Sequence, residues 1–474
     1  MCDGGGKLQR SLFDGKLEFA IENPIRLIEL FAGYGSQYLA LKYLGVEVES
    51  YRVCEWAVKS IQAYKEAHFP DDNSNYSHNL TYEQVIEYLS NKQISMDYSK
   101  PMSYQQIKRL GEKKCRQIYN NIQAIHNTVD IKKTSGSDLE IIDKDKYTYI
   151  MTYSFPCQDL SKAGLGKGMA RDSETRSSML WEVERILDEL KLSKSLPQVL
   201  VMENVPDVIG NKNMQFFAEW LNKLESLGYH CYWQVLNAKN YSIPQNRDRC
   251  FMVSLLGDYD FIFPKGAKLE KRLIDILEED VDEKYYLKGK TLEKILKAIV
   301  SEIRDIKVGI DLCDSVSKTR DIANTIKARY DCGYEHYSPG PTGIIELTKN
   351  QSQGNRVYSA NGISVSLTAN GGGLGAKTGL YQVPRGNNKG GIKYSDTCPT
   401  ITTSCFENNT MLLDNYRIRK LTPKECFRLM GVKDDDFERI RKNQTDTSLY
   451  HLAGDSIVVN VLMALFKKII NMEE

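Results

Sequence analysis

Two hydrophobic periods divide this chain. Ile25 to Phe31 is an apolar run interrupted only by Arg26 and Glu29, Ala32-Gly33-Tyr34-Gly35 is a glycine turn, and Ser36 to Leu44 repeats with a helical period before Gly45. This pattern predicts a buried strand, a tight turn and a helix, the opening βα unit of a nucleotide-binding sheet. Val46 to Val53, Tyr147 to Met151, Gln198 to Met202, Tyr229 to Leu236 and Cys250 to Leu255 predict further strands, and Leu180 to Leu192 predicts an amphipathic helix. The alternation implies an α/β, Rossmann-like sheet over residues 25–257.

The remaining segments break the alternation. Residues 1–24 are Gly-rich and then mixed, which reads as a loosely ordered lead-in. Residues 71–128 are polar and tyrosine-dotted, with helical stretches near Thr81 to Leu89 and Tyr104 to Ile125. They are expected to form a surface insertion, a solvated helical hairpin, although Lys108, Arg109, Lys113, Lys114 and Arg116 could meet a phosphate chain. Val129-Asp130-Ile131 reads either as a strand or as a turn. Residues 258–415 are rich in Gly, Asn, Ser, Thr and Tyr, without strand–helix alternation, and read as a separate, smaller, mostly β or irregular domain.

Composition narrows the class. The 474 residues are 41% apolar and 26% charged, ordinary for a globular enzyme, and no uninterrupted apolar run has the length a membrane helix needs. Eleven cysteines without a Cys-x-x-Cys pair argue against a zinc site and a secreted disulfide framework, so a reducing cytoplasm and no metal are expected. The net charge of +1 requires any nucleic-acid surface to be a local patch.

Candidate chemistry gathers where strands end. Pro156 cannot donate to a ladder and restricts Phe155, so Cys157 is presented at a strand end, followed by a glycine-rich basic loop with Lys162, Lys167, Arg171 and Arg176. A lone cysteine is more often a small buried hydrophobe than a nucleophile. Glu203 closes the apolar run 198–202 and is a candidate acid whose pKa burial would raise. Glu55-Trp56 follows the second strand at about the 20-residue distance at which dinucleotide-binding folds place a ribose-binding carboxylate. Arg247 and Arg249, two apart on an extended segment, would face one side.

Phe31-Ala32-Gly33-Tyr34-Gly35, Glu55-Trp56, Pro156-Cys157-Gln158, Glu203-Asn204-Val205 and Gln245-Asn246-Arg247-Asp248-Arg249 occur in that order, followed by Arg419 to Gly431 and Gly454-Asp455-Ser456-Ile457-Val458. Together these blocks resemble the DNA (cytosine-5) methyltransferases of bacterial or phage type, over about residues 25–257 and 416–470. The resemblance implies S-adenosyl-L-methionine as cofactor, held by Phe31, Gly33, Gly35, Glu55, Trp56, Asp130, Pro156, Asp455 and Ser456. It implies a flipped-out cytosine in double-stranded DNA, Cys157 as nucleophile, Glu203 as acid at ring nitrogen 3, Arg249 on the exocyclic oxygen and Arg247 steadying the loop or a phosphate. Residues 258–415 become a target-recognition domain and 416–474 a return to the catalytic one. Gln158, Ser161, Lys162, Thr325 and Thr400 are candidate DNA contacts. Two positions depart from the family, Ser36 for a glycine and Asp455 for an asparagine. A monomer is expected, and a cognate restriction endonuclease is left open.

Rival readings are weaker. An RNA cytosine methyltransferase could use the same catalytic set, and the long recognition segment favours duplex DNA. A cysteine hydrolase needs a histidine base, and none of His68, His78, His126, His230, His336 and His451 lies in a matched motif. A silent DNA-binding regulator would not need Cys157, Glu203 and Arg249 together.

Overall fold

The structure, a computed structural model, describes residues 9–10, 17–156, 169, 171, 176–286, 364–365, 381–382, 391–392, 411–414 and 417–472. The chain divides into two compact units. The first contains Met1–Ile243, Asp248–Lys268 and Phe427–Glu474, and the second Pro244–Arg247 and Leu269–Cys426.

The first unit is built on strands β1 (Ile25–Leu30), β2 (Val48–Cys54), β3 (Thr148–Tyr153), β4 (Val199–Asn204), β5 (Tyr229–Asn237) and β6 (Asp248–Leu256). Their order in the sheet is β2-β1-β3-β4-β6-β5. The first four run parallel, and β6 lies antiparallel to both β4 and β5. Every residue of β3 and β4 is buried, as expected for a parallel sheet covered on both faces. Helix α1 (Ser36–Leu44) returns the chain to β2 and stops at Gly45, whose φ of 71° suits only glycine comfortably. Because β1 lies between β2 and β3, the chain changes direction across the sheet between β1 and β3. The carboxyl ends of those strands are where such folds bind ligands.

The 71–128 segment is helical but not merely solvated. Helices α2 (Val58–His68), α3 (Tyr82–Asn91), α4 (Tyr104–Lys108) and α5 (Glu112–Ala124) enclose a core of Val58, Ile61, Val85, Ile86, Leu89, Ile107, Cys115, Ile118 and Ile122 that includes Val53 of the sheet. The apolar residues are few, yet they recur at helical spacing on one face. Capping boxes at Thr81/Gln84 and Ser103/Gln106 start two of these helices. Arg116 is occupied within the segment, bonding Glu112 at 2.8 Å and the carbonyls of Ser77 and Leu80 at 2.7 and 3.0 Å.

Among the smaller elements, the turn and not the strand forms at Asp130, and the lead-in carries short strands. Asp130 opens a turn, accepting the Lys132 N–H on its carboxylate and the Lys133 N–H on its carbonyl, so no strand forms there. The lead-in contributes Gln9–Arg10 and Leu17–Glu18, and the latter pairs in parallel with Tyr259–Asp260. Helix α6 (Leu180–Leu192) is the expected amphipathic helix and packs with α7 (Met214–Leu227) against β3 and β4. Helices α8 (Asp434–Ile440), α9 (Asp446–Asp455) and α10 (Val459–Ile469) return to this unit. The stretch 446–469 is long and apolar enough to cross a membrane, but its most apolar window is 72% buried within the protein, as a core helix is. In the second unit, the Arg419–Glu425 ion pair, 2.8 Å long, is almost fully buried, and the Thr422 N–H bonds the same carboxylate.

Candidate active site

After β1 the backbone enters three left-handed conformations, at Phe31 (φ 59°), Gly33 (φ 58°) and Gly35 (φ 80°). A side chain on Gly35 would place its Cβ 2.4 Å from His68 Nε2 and 2.6 Å from the Tyr64 ring, so only glycine fits. The space at Gly33 is open, with nothing within 4 Å of an added Cβ. That leaves its backbone approachable by a ligand. The loop rests on a buried polar layer: His68 Nε2 contacts the Tyr34 carbonyl at 2.9 Å, and Tyr64 donates to Glu29 at 2.5 Å. Burial pushes the Glu29 carboxyl up to about 8 and His68 down to about 3.

Glu55, at the end of β2, faces this loop. Its carboxylate accepts the Gly33 N–H at 2.9 Å and the Ala57 N–H at 2.7 Å. Burial pushes it up to about 7, opposed by those N–H donors and reinforced by the nearby charge of Asp455. Asp455, the last residue of α9, lies near enough to Glu55 to act on it electrostatically. Ser456 donates to the Ala453 carbonyl at 3.1 Å. Trp56 is half-buried beside Glu55, and Asp130 lies near enough to Cys54 to act on it electrostatically. Asn127 is a site residue that sequence reasoning missed. Its amide clamps Glu55 on both sides, accepting the Glu55 N–H at 3.0 Å and donating to the Glu55 carbonyl at 2.8 Å. Its position at the end of an unmatched polar segment concealed it.

Three strands along the sheet from β2, Glu203 at the end of β4 is 5% exposed and has the partner a buried charge requires. Arg249 Nε stands 3.0 Å from Glu203 Oε1, and Ser154 Oγ donates to Oε2 at 2.6 Å. Asn204 Nδ2 donates to the Phe155 carbonyl at 3.0 Å, fixing the chain that leads into Pro156. Asn204 stands inside a quoted motif and Ser154 just before one, but the sequence alone assigns neither a role. Arg247 is buried and falls in the second unit, and Arg249 falls in the first. The first unit thus brings together Phe31, Gly33, Gly35, Glu55, Trp56, Asp130, Pro156, Glu203, Arg249, Asp455 and Ser456.

Cys157, Gln158, Ser161, Lys162, Thr325 and Thr400 lie outside the described residues. Of the expected basic loop, Arg171 is described: it pairs with Glu184 at 2.7 Å and stacks over Trp181 at 3.9 Å. That charge is paired within the unit.

A model of the family described as C-5 cytosine-specific DNA methylase matches residues 105–471. The chain is 31% identical over 452 residues to the type II methyltransferase M2.ScrFI of Lactococcus lactis subsp. cremoris, covering 94% of this chain and 99% of that protein. It is 32% identical over 457 residues to the orphan methyltransferase M.SssI of Spiroplasma monobiae, covering 94% and 97%. Among solved structures, the fold is similar to that of the Dnmt2 methyltransferase of S. pombe, with a TM-score of 0.52 and 17% identity over 94% of this chain and 98% of that one. The strand-end residues and these matches agree: the chain belongs to the C-5 cytosine-specific DNA methylase family and is a DNA (cytosine-5-)-methyltransferase.

Proposed function

We propose that the first unit binds S-adenosyl-L-methionine over the Phe31–Gly35 loop and methylates a flipped-out cytosine of double-stranded DNA through a covalent adduct with Cys157. The observation that carries this reading is the buried Glu203–Arg249 pair, aligned with the glycine loop and Glu55 along one edge of the sheet.

The cofactor fits the residues present. Gly33 leaves open space, Glu55 retains lone pairs for ribose hydroxyls, and Trp56 offers a half-buried ring to an adenine. When bound, the cofactor supplies an electrophilic methyl group. The protein must then make carbon 5 of cytosine nucleophilic. Cys157 adds as thiolate to carbon 6 while ring nitrogen 3 takes a proton, and carbon 5 becomes enamine-like. Glu203 is the group that meets nitrogen 3, and Arg249 meets the exocyclic oxygen while holding the Glu203 carboxylate in place. Carbon 5 takes the methyl group as the neutral thioether departs; its proton then leaves to a base, the nitrogen 3 proton returns to Glu203 and the Cys157–carbon 6 bond breaks with the thiolate leaving, restoring the aromatic ring.

The other cysteines near the sheet are poor substitutes. Burial pushes Cys54 up to about 12, Cys231 to about 11 and Cys250 to about 12, so they remain thiols. The five described cysteines are all free.

The direct test is transfer of isotopically labelled methyl from S-adenosyl-L-methionine into plasmid DNA and into tRNA, followed by digestion to nucleosides. Label in 5-methyldeoxycytidine supports the reading. Label confined to tRNA would assign the chain to the RNA substrate instead.

A further inference from the structure

Tyr98 lies in the polar 71–128 segment, yet the fold carries it to the carboxylates of the cofactor site. Its turn is stitched beside Glu55: the Ser95 N–H donates to the Trp56 carbonyl at 2.9 Å, and the Val58 N–H donates to the Ser95 carbonyl at 2.8 Å. The turn is tightly held. Asp97 accepts the Ser99 and Lys100 N–H groups at 2.9 and 3.3 Å, and Ser95 Oγ donates to the Lys100 carbonyl at 2.7 Å. Within it Tyr98 has a left-handed φ of 61°, a strained geometry for a bulky residue that persists only where the surroundings enforce it.

The enforced ring stacks on His451, with centroids 3.7 Å apart and planes 14° from parallel. Ser60 Oγ reaches the Tyr98 hydroxyl at 3.4 Å. One helical turn on, His451 Nδ1 lies 2.8 Å from Asp455 Oδ2, a close contact without the angle of a hydrogen bond. Asp455 is the last residue of α9, where the helix dipole already places negative potential. A carboxylate there is disfavoured by the helix and by Glu55, and a neutral amide would avoid both costs.

We propose that Tyr98 and His451 are positioning residues that hold the Asp455 carboxylate in the cofactor pocket as a charge selector, favouring a cationic sulfonium cofactor over the neutral thioether left after methyl transfer. This rests on the reading of Glu55 as the cofactor's ribose partner. It gives the strained turn, the stack and the carboxylate at a helix C-terminus one common purpose, relief of product inhibition.

The test is calorimetric titration of the full chain with S-adenosyl-L-methionine and, separately, S-adenosyl-L-homocysteine, for the wild type, Asp455→Asn, Tyr98→Ala and Tyr98→Phe. Thermal unfolding establishes that each variant is folded. Asp455→Asn is expected to narrow the wild-type preference for the sulfonium by roughly 3- to 10-fold, mainly through weaker sulfonium binding. Tyr98→Ala should narrow it in the same direction, and Tyr98→Phe, which keeps the stack, should restore it. Equal weakening of both ligands in Asp455→Asn, or an unchanged ratio in Tyr98→Ala, overturns the selector while leaving the cofactor reading intact. A wild-type chain that binds neither ligand removes both.

Discussion

Arg249 Nε stands 3.0 Å from Glu203 Oε1 where both side chains are almost withdrawn from solvent. Neither charge could stay there alone, and the pair places a guanidinium and a carboxyl side by side at the end of β4. Removing either one separates chemistry from stability. Glu203→Gln keeps the shape and should lower kcat by about 10²–10⁴-fold with little change in cofactor affinity. Arg249→Ala strands a buried carboxylate and should cost about 3–5 kcal/mol of stability as well as activity. Single-turnover kinetics and denaturant unfolding of the two variants check this. Equal loss of stability in both would reduce the pair to a structural strut.

Glu55 makes cofactor binding pH-dependent. With its carboxyl pushed up to about 7 by burial, it is largely protonated below that pH and ionised above it. A ribose hydroxyl donates more strongly to the ionised form, so affinity for S-adenosyl-L-methionine should rise roughly 10-fold between about pH 6 and about pH 8, with release of a proton on binding. Stability runs the opposite way. The folded-state value lies above the ordinary 4.5, so the folded chain binds more protons, and the Glu55 contribution fades as pH rises through about 7. Titrations in buffers of different ionisation enthalpy check the proton release, and Glu55→Gln should remove its share of the slope. A slope unchanged in that variant would assign the effect elsewhere.

The two loop glycines should respond differently to alanine. At Gly33 there is room for a methyl group, and the cost is backbone strain of roughly 1–2 kcal/mol. At Gly35 the same strain is joined by contacts of 2.4 and 2.6 Å with His68 and Tyr64, which must move from beneath the loop. Gly35→Ala should therefore lose more stability and raise the cofactor Kd further. Thermal unfolding and cofactor titration of both variants decide it, and equal effects would mean that the packing under Gly35 is soft.

What was legible in the sequence follows a physical rule. Glu55 and Glu203 stood out because each ends an apolar strand, where a charge must meet a ligand or a partner, and in the structure both do. Asn127 and Tyr98 did not stand out, because they lie in a polar segment and their partners Glu55 and His451 come from distant parts of the chain. The packing of 71–128 was half legible: capping boxes and spaced apolar residues mark its helices, but their sparseness hid the shared core with Val53. Strand periodicity at Arg247 and Arg249 carries no sign that the boundary between the two compact units falls there.

The central claim is that this chain methylates carbon 5 of cytosine in DNA through Cys157. It is tested most directly by bisulfite sequencing the genome of a bacterial host that lacks cytosine methylation, after expression of the wild-type chain and of Cys157→Ser. The wild type is expected to protect cytosine within one short motif, and Cys157→Ser to lose that protection completely. Protection that survives Cys157→Ser, or none from soluble wild-type protein, would contradict it.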